Sequence, residues 1–242
     1  MTTRLIVENL TCRHGLLTAV RDVSFALQAG EVLCVIGANG AGKTTLMNAI
    51  AGTHRPVGGR IALDGGDVTA QPAFVRVRSG IAMSPEGRRL FADMTVRENL
   101  LIAAENGRAG DWTLARVLEA FPQLRPLIDM PAGRLSGGQR QAAAIGRALL
   151  TNPVVLLLDE VSLGLSPAAV EGVYQSLAMI KEARTTTMVV VEQDLTRALG
   201  FADQVLCMAE GQTELQGMPG HLSREQITDA YFGIHDKELS DV

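Results

Sequence analysis

Gly37-Ala38-Asn39-Gly40-Ala41-Gly42-Lys43-Thr44 fits the pattern G-x-x-x-x-G-K-[ST]. The apolar run Val32-Leu33-Cys34-Val35-Ile36 precedes it and Thr45-Leu46-Met47-Asn48-Ala49-Ile50 follows, so the segment reads as strand, loop and helix, the context this pattern requires. Glycines open backbone conformations closed to other residues, and successive N–H groups can then turn inward onto phosphate oxygens beside the positive end of the helix. Gly37 to Thr44, with Thr45 next to it, is therefore assigned to nucleotide phosphates, with Lys43 supplying a mobile positive charge and the Thr44 hydroxyl placed to ligate Mg2+. The bland alternative is a glycine-rich turn whose lysine faces solvent; the strand and helix on either side argue against it.

Outward from this loop, Leu5–Leu10 and Val20–Leu27 read as β-stretches, the second alternating well, and the turn Ala29-Gly30-Glu31 leads into the phosphate-loop strand. A small antiparallel sheet is expected there. Arg60–Asp64 and Gly80–Met83 look like further strands. Helical signals then dominate: Thr95-Val96-Arg97-Glu98 is a capping box opening a helix through Leu101 and Ile102, and Asp111 is expected to cap a second with Leu114, Val117, Leu118 and Phe121 on one face, ended by Pro122. Residues 91–134 thus read as an all-helical insertion into an α/β nucleotide-binding core made of 1–90 and 135–242. Downstream, Ser136 caps a helix through Leu150, and Val154–Leu158 is a buried strand. Ser166-Pro167 starts a helix with Val170, Val173, Leu177 and Ile180 on one side. Thr186–Val191 is another strand, Asp194 caps a short helix, Gln204–Met208 and Thr213–Leu215 flank a turn at Glu210-Gly211, and Ser223 to Gln226 cap a last helix. No repeat or linker divides the 242 residues, so one domain is expected.

Composition narrows the function classes. With 47% apolar and 20% charged residues the chain can bury a full core, and no apolar run approaches the roughly 18 to 20 residues that span a bilayer. The start of the chain lacks the layout of a signal peptide, so a cytosolic setting is expected. Three scattered cysteines, Cys12, Cys34 and Cys207, read as reduced core thiols rather than a disulfide or zinc framework. A formal charge of −4 argues against a general nucleic-acid binder. Arg76, Arg78, Arg88 and Arg89 form a local basic cluster that reads as a solvated face, with contact to an acidic partner as the other option.

The strand Val154–Leu158 ends in Asp159-Glu160, which delivers both acids to the same rim as the phosphate loop. Asp159 is expected to hold Mg2+, and Glu160 to polarise the water that attacks the γ-phosphate. A strand that ends in solvated acids is the alternative for such a pair taken alone.

Three segments in this order, Gly37 to Thr44, Leu135-Ser136-Gly137-Gly138-Gln139 and Leu158-Asp159-Glu160, with a helical stretch before the second, resemble the ATP-binding subunit of an ABC transporter over essentially the whole chain. The resemblance implies an α/β fold: a P-loop cassette with a RecA-like core, an N-terminal antiparallel β subdomain and a helical insertion. It implies ATP and Mg2+ as cofactors. It also implies that Ser136, Gly137, Gly138 and Gln139 present N–H groups to a γ-phosphate held by another cassette, which agrees with Ser136 as the N-cap of a helix with two glycines behind it. Read alone, the same four residues are equally a plain helix cap.

The finer pattern is similar to the branched-chain amino acid importer ATPases: Ser84 to Phe91, Met94 to Leu100, Ser162 to Pro167, Val191-Glu192-Gln193 and the terminal Ala230-Tyr231-Phe232-Gly233. This implies a subunit at the cytoplasmic face of the membrane. It would work beneath permease subunits beside a second related ATPase, as a heterodimer, with a homodimer left open, and an extracytoplasmic binding protein would supply the cargo. Other cargoes stay open, urea or another small polar solute, or lipopolysaccharide, as does a soluble cassette protein acting on nucleic acid or ribosomes. Two positions depart from the general cassette pattern. Glu86 stands where most cassettes carry Gln and is read as a metal contact, or as a partner of Arg88 or Arg89. Gln193 stands in place of the switch His; it can donate a hydrogen bond to the γ-phosphate but cannot become a cation. His14 occupies the place of the aromatic that stacks on adenine; an exposed loop histidine is the other reading.

Overall fold

A computed structural model describes residues 2–232; Gly233 of the tail motif lies outside the described residues. The strands are β1 (Thr3–His14), β2 (Leu17–Gln28), β3 (Val32–Ile36), β4 (Gly58–Leu63), β5 (Gly66–Asp67), β6 (Ile81–Ser84), β7 (Val155–Leu158), β8 (Thr187–Val191), β9 (Gln204–Ala209) and β10 (Gln212–Gly217). The helices are α1 (Lys43–Ala51), α2 (Ala73–Ser79), α3 (Val96–Ala104), α4 (Leu114–Ala120), α5 (Gly137–Leu149), α6 (Pro167–Glu182), α7 (Leu195–Phe201) and α8 (Arg224–Phe232). One sheet is four-stranded and antiparallel, in the order β2-β1-β4-β5. The other is six-stranded, in the order β10-β9-β3-β8-β7-β6, parallel except for β10.

Alternation along the parallel strands sorts the core into two layers, because successive side chains leave a strand on opposite faces. From β3, Val32, Cys34 and Ile36 join Leu156, Leu158, Met188 and Val190 beneath α5 and α6. Leu33 and Val35 join Leu157, Val189 and Val191 on the other face, against α1 and the antiparallel sheet. Strands buried on both faces are therefore continuously apolar, as β3, β7 and β8 are. All three cysteines are free and buried, and burial pushes Cys34 up to about 12 and Cys12 and Cys207 to about 11, as expected of inert core thiols. No helix among the described residues is long and apolar enough to cross a membrane.

Most expected elements form, and their caps explain their starts. Thr95 and Glu98 close a capping box on α3, Ser136 and Gln139 another on α5, and Ser166, Asp194 and Ser223 each accept a bond from a main-chain N–H of the helix that follows. On α6, Val170, Val173, Leu177 and Ile180 are buried as one stripe. Two readings are corrected and one element is added. The cap of α4 is Thr113, whose hydroxyl accepts from the Arg116 N–H, and not Asp111. α2 was not anticipated: Ala73-Phe74-Val75-Arg76-Val77-Arg78 alternates like a strand, and its N-terminus lacks a side-chain cap.

The basic cluster is likewise not one solvated face. Arg76 is 1% exposed, and its guanidinium donates to the carbonyls of Ala49 (2.6 Å), Ile50 (2.8 Å), Gln71 (2.9 Å) and Thr69 (2.8 Å). A helix ends with carbonyls that have no partner inside it. Arg76 meets two of them at the end of α1 and ties α1 to α2. Arg88, half-buried, donates to Gln141 Oε1 (2.9 Å) and to the Leu163 carbonyl (2.9 Å).

Candidate functional site

The parallel strands β3, β6, β7 and β8 end on one edge, so the residues following them converge there. After β3 the chain turns through Gly37 to Gly42 into α1. Gly37 has φ +147°, and a Cβ on it would lie 2.1 Å from the Met208 carbonyl oxygen; one on Gly42, at φ +95°, would lie 2.2 Å from that of Ala19. Neither position admits a side chain. α1 starts without a side-chain cap, which leaves its first N–H groups for a ligand. Lys43 is 5% exposed and donates through Nζ to the carbonyls of Gly37 and Ala38, both at 2.8 Å. Burial lowers its pKa, opposed by Glu160 and Asp159. Beside it lies a cleft of about 180 Å³ lined by Asn39, Gly40, Gly42, Thr44, Thr45 and Glu160. Ala38 is exposed and Ala41 buried.

β7 delivers Glu160 to the same cleft and Asp159 beside its Thr44. Thr44 Oγ1 donates to Asp159 Oδ1 at 3.5 Å, while Asp159 Oδ2 is buried with no hydrogen-bond partner. Burial pushes Asp159 up to about 6, with Glu160 and Glu86 raising it further and the Thr44 hydrogen bond and Lys43 opposing. An orphaned oxygen beside a hydroxyl suits a hard divalent cation. Among the described residues no three His, Cys, Asp or Glu side chains gather into a metal cluster, so such an ion would take its other ligands from phosphate and water. Glu160 has φ +51° and accepts from Gln193 Nε2 at 2.9 Å. Gln193, expected to donate to a γ-phosphate, here donates to the Glu160 carboxylate.

The remaining expected residues lie around this cleft or face away from it. Ser136 is exposed; its main-chain N–H donates to Gln139 Oε1 (2.9 Å), and its Oγ accepts from the Gln139 N–H (3.4 Å). Gly137 and Gly138 form the first turn of α5 behind it. The hydrogen bonds of Ser136 stay within its own capping box, and those of Lys43 within the phosphate loop. Glu86 is exposed on the rim after β6 and forms no ion pair among the described residues; Arg88 is engaged instead with Gln141 and Leu163. His14 is exposed, its Nε2 lies 3.2 Å from Thr45 Oγ1, and its ring sits 4.7 Å from that of His54.

The region of the chain from Val20 to Ser162 matches the family model described as ABC transporter. The chain belongs to that family. This cassette is 35% identical to BraG of Pseudomonas aeruginosa, a high-affinity branched-chain amino acid transport ATP-binding protein, over 95% of this chain and 99% of BraG. It is 30% identical to BraF of the same organism, which bears the same description, over 95% of this chain and 97% of BraF. A nucleotide-free ATP-binding cassette from an ABC transporter superposes with a TM-score of 0.82 at 29% identity, covering 95% of each chain. The cassette is thus an ATP-binding α/β domain that hydrolyses ATP, as its phosphate loop and paired acids led one to expect.

Reading the sequence missed the residues that hold this site in place. Glu192, named only as part of a motif, is 1% exposed and accepts from Ser162 Oγ, from the Tyr174 hydroxyl and from the Gln193 N–H. The available signal was a carboxylate following the wholly buried run Thr187–Val191, where a charge needs partners. Arg147 was also passed over; it donates to the carbonyls of Arg89 (2.9 Å) and Arg88 (3.2 Å), fixing the segment after Glu86 against α5.

Proposed function

We propose that this cassette powers an importer for branched-chain or other hydrophobic amino acids, held at the cytoplasmic face of the membrane by permease subunits. The observation that carries the catalytic half of this reading is the single cleft joining Lys43, Thr44 and Glu160, with Asp159 hydrogen-bonded to Thr44. ATP would lie with its phosphates on the N–H groups of Gly37 to Thr45, with Lys43 exchanging its bonds to the Gly37 and Ala38 carbonyls for phosphate oxygens. Thr44 and Asp159 would hold Mg2+, with Glu86 on the rim as a further contact. When bound, the ion neutralises charge that builds on the phosphate oxygens. Glu160 takes a proton from the attacking water, and Gln193, 2.9 Å away, fixes its carboxylate without ever adding a positive charge. His14, beside Thr45, offers a small ring face to adenine.

The outward-facing Ser136-Gly137-Gly138-Gln139 supports pairing with a second cassette, whose γ-phosphate would meet the positive end of α5. Two related ATP-binding proteins in one organism, BraG and BraF, favour a heterodimer over a homodimer. Residues 91–134 would form the arm that passes closure of the pair to the permeases, and an extracytoplasmic binding protein would deliver the cargo.

The test is purification of the tagged chain from gently solubilised membranes of its native cell. Recovery of a second ATPase and hydrophobic permeases, with ATP turnover raised by a binding protein loaded with leucine, isoleucine or valine, is the expected result. Recovery of ribosomes or nucleic acid without membrane proteins would sink the importer reading while leaving the ATPase in place.

A further inference from the structure

Glu192 directly follows β8 and is 1% exposed, and among the described residues no cation pairs with it. A buried charge without a counter-ion survives only on hydrogen-bond donors. Its donors come from three different elements: Ser162 Oγ at 2.9 Å from the loop after β7, the Tyr174 hydroxyl from α6, and the Gln193 N–H at 3.2 Å from its own loop. Tyr174 is itself held edge-on by Phe201 (5.2 Å, 86°) and beneath the Arg197 guanidinium (5.3 Å), so this arm is a fixed post. The other two arms lead to the reacting cleft and away from it. Gln193 holds Glu160 at 2.9 Å. The Ser162 loop continues through Leu163, whose carbonyl accepts from Arg88, to Leu165, against which Gly137 of α5 packs so closely that a Cβ there would lie 3.2 Å from Leu165 Cδ2.

We infer that Glu192 is a positioning residue for hydrolysis: its buried carboxylate locks Gln193, and through it Glu160, in register with the Ser162–Leu165 loop that borders the outward-facing Ser136 segment. The inference rests on the assignment of Glu160 and Gln193 given above. It supplies a path by which a change at the exposed end of α5 reaches the catalytic carboxylate. The path runs from Gly137 to Leu165, back along the loop to Ser162, and through Glu192 to Gln193 and Glu160. A purely apolar side chain would fill the same place at the end of β8 without joining those three elements.

The experiment is steady-state ATP hydrolysis by the full chain in its native membrane assembly, with KM for ATP and the thermal midpoint measured on the same samples. Glu192→Gln, which keeps the shape but offers one acceptor oxygen instead of two, should lower kcat about tenfold or more, the cost of a small misplacement of a catalytic group, with KM and the midpoint near their original values. Ser162→Ala, at a half-buried position whose loss does not threaten folding, should lower kcat by a smaller factor in the same direction. The double variant should be no slower than Glu192→Gln alone, because both changes cut one connection. An unchanged kcat in Glu192→Gln, a fall in kcat that tracks KM and the midpoint, or losses that multiply in the double variant would each overturn the inference. Glu160→Gln is measured alongside: if that variant keeps its turnover, the catalytic assignment itself fails and the positioning role goes with it, whereas a dead Glu160→Gln beside an active Glu192→Gln removes only the positioning role.

Discussion

The chain carries two helix N-termini suited to phosphate, and they are finished differently. That of α1 lacks a side-chain cap, opens into the cleft shared with Glu160, and is backed by a buried lysine. That of α5 is exposed and already closed by the reciprocal bonds of Ser136 and Gln139, which leave the N–H groups of Gly137 and Gly138 as the open donors of its first turn. One end is a complete cradle without a second wall; the other is a wall with no cradle of its own. A protein that needs only to hold ATP has no use for the second. On the pairing proposed above, the difference would separate binding, which one copy would perform, from turnover, which would need the α5 end of another cassette.

The sharpest way to break that separation is Glu160→Gln, which should cost about 10²- to 10⁴-fold in turnover while ATP binding, followed by a fluorescent nucleotide analogue, stays intact. Retention of most hydrolysis would remove Glu160 as the base. Next in size, Ser136→Arg places bulk and charge on the exposed end, so turnover of the paired assembly should fall on the order of a hundredfold, with ATP affinity of the isolated chain unchanged. If nucleotide affinity of the single chain fell equally, the two helix ends would not be separate surfaces.

A third experiment concerns the sign of a charge. In the nucleotide-free chain Asp159 is pushed up to about 6 by burial from an ordinary value of 3.8. A raised carboxyl contributes stability that is complete below pH 3.8 and is lost as pH rises through about 6, because the unfolded chain then releases its proton more readily. Asp159→Asn, measured by thermal melting in EDTA, should therefore raise the stability of the nucleotide-free chain at pH 8 by on the order of 2 kcal/mol and by almost nothing at pH 4. A stabilisation equal at both values would assign the effect to packing. The smallest effect is reserved for Gln139→Ala, which opens the capping box on α5 and should lower the melting temperature by about 2–4 °C, the equivalent of about 1 kcal/mol in a domain of this size.

Legibility in the sequence followed the range of the forces involved. The strand, loop and helix around Lys43, the capping box at Thr95, the N-cap at Ser136, and the apolar stripe of α6 depend on neighbours three or four positions away, and they form as read. α2 was hidden because its alternating Val75-Arg76-Val77-Arg78 speaks for a strand, and it is the burial of Arg76 against the end of α1, 26 and 27 positions earlier, that accompanies the helix. Asp111 lost the cap of α4 to Thr113, two residues nearer the first apolar position. The site residues converge because parallel strands end together, which spacing and motif predict. The bond from Gln193 to Glu160 spans 33 positions and that from Ser162 to Glu192 spans 30; neither leaves a periodic trace.

Arg76 has one more consequence. Its planar fork meets four carbonyls in fixed directions, a pattern that the three rotating donors of a lysine cannot reproduce. In a saturation-mutagenesis survey scored by ATP turnover, position 76 should therefore tolerate as few replacements as position 43, lysine among those rejected, although it lies outside the lining of the phosphate-loop cleft.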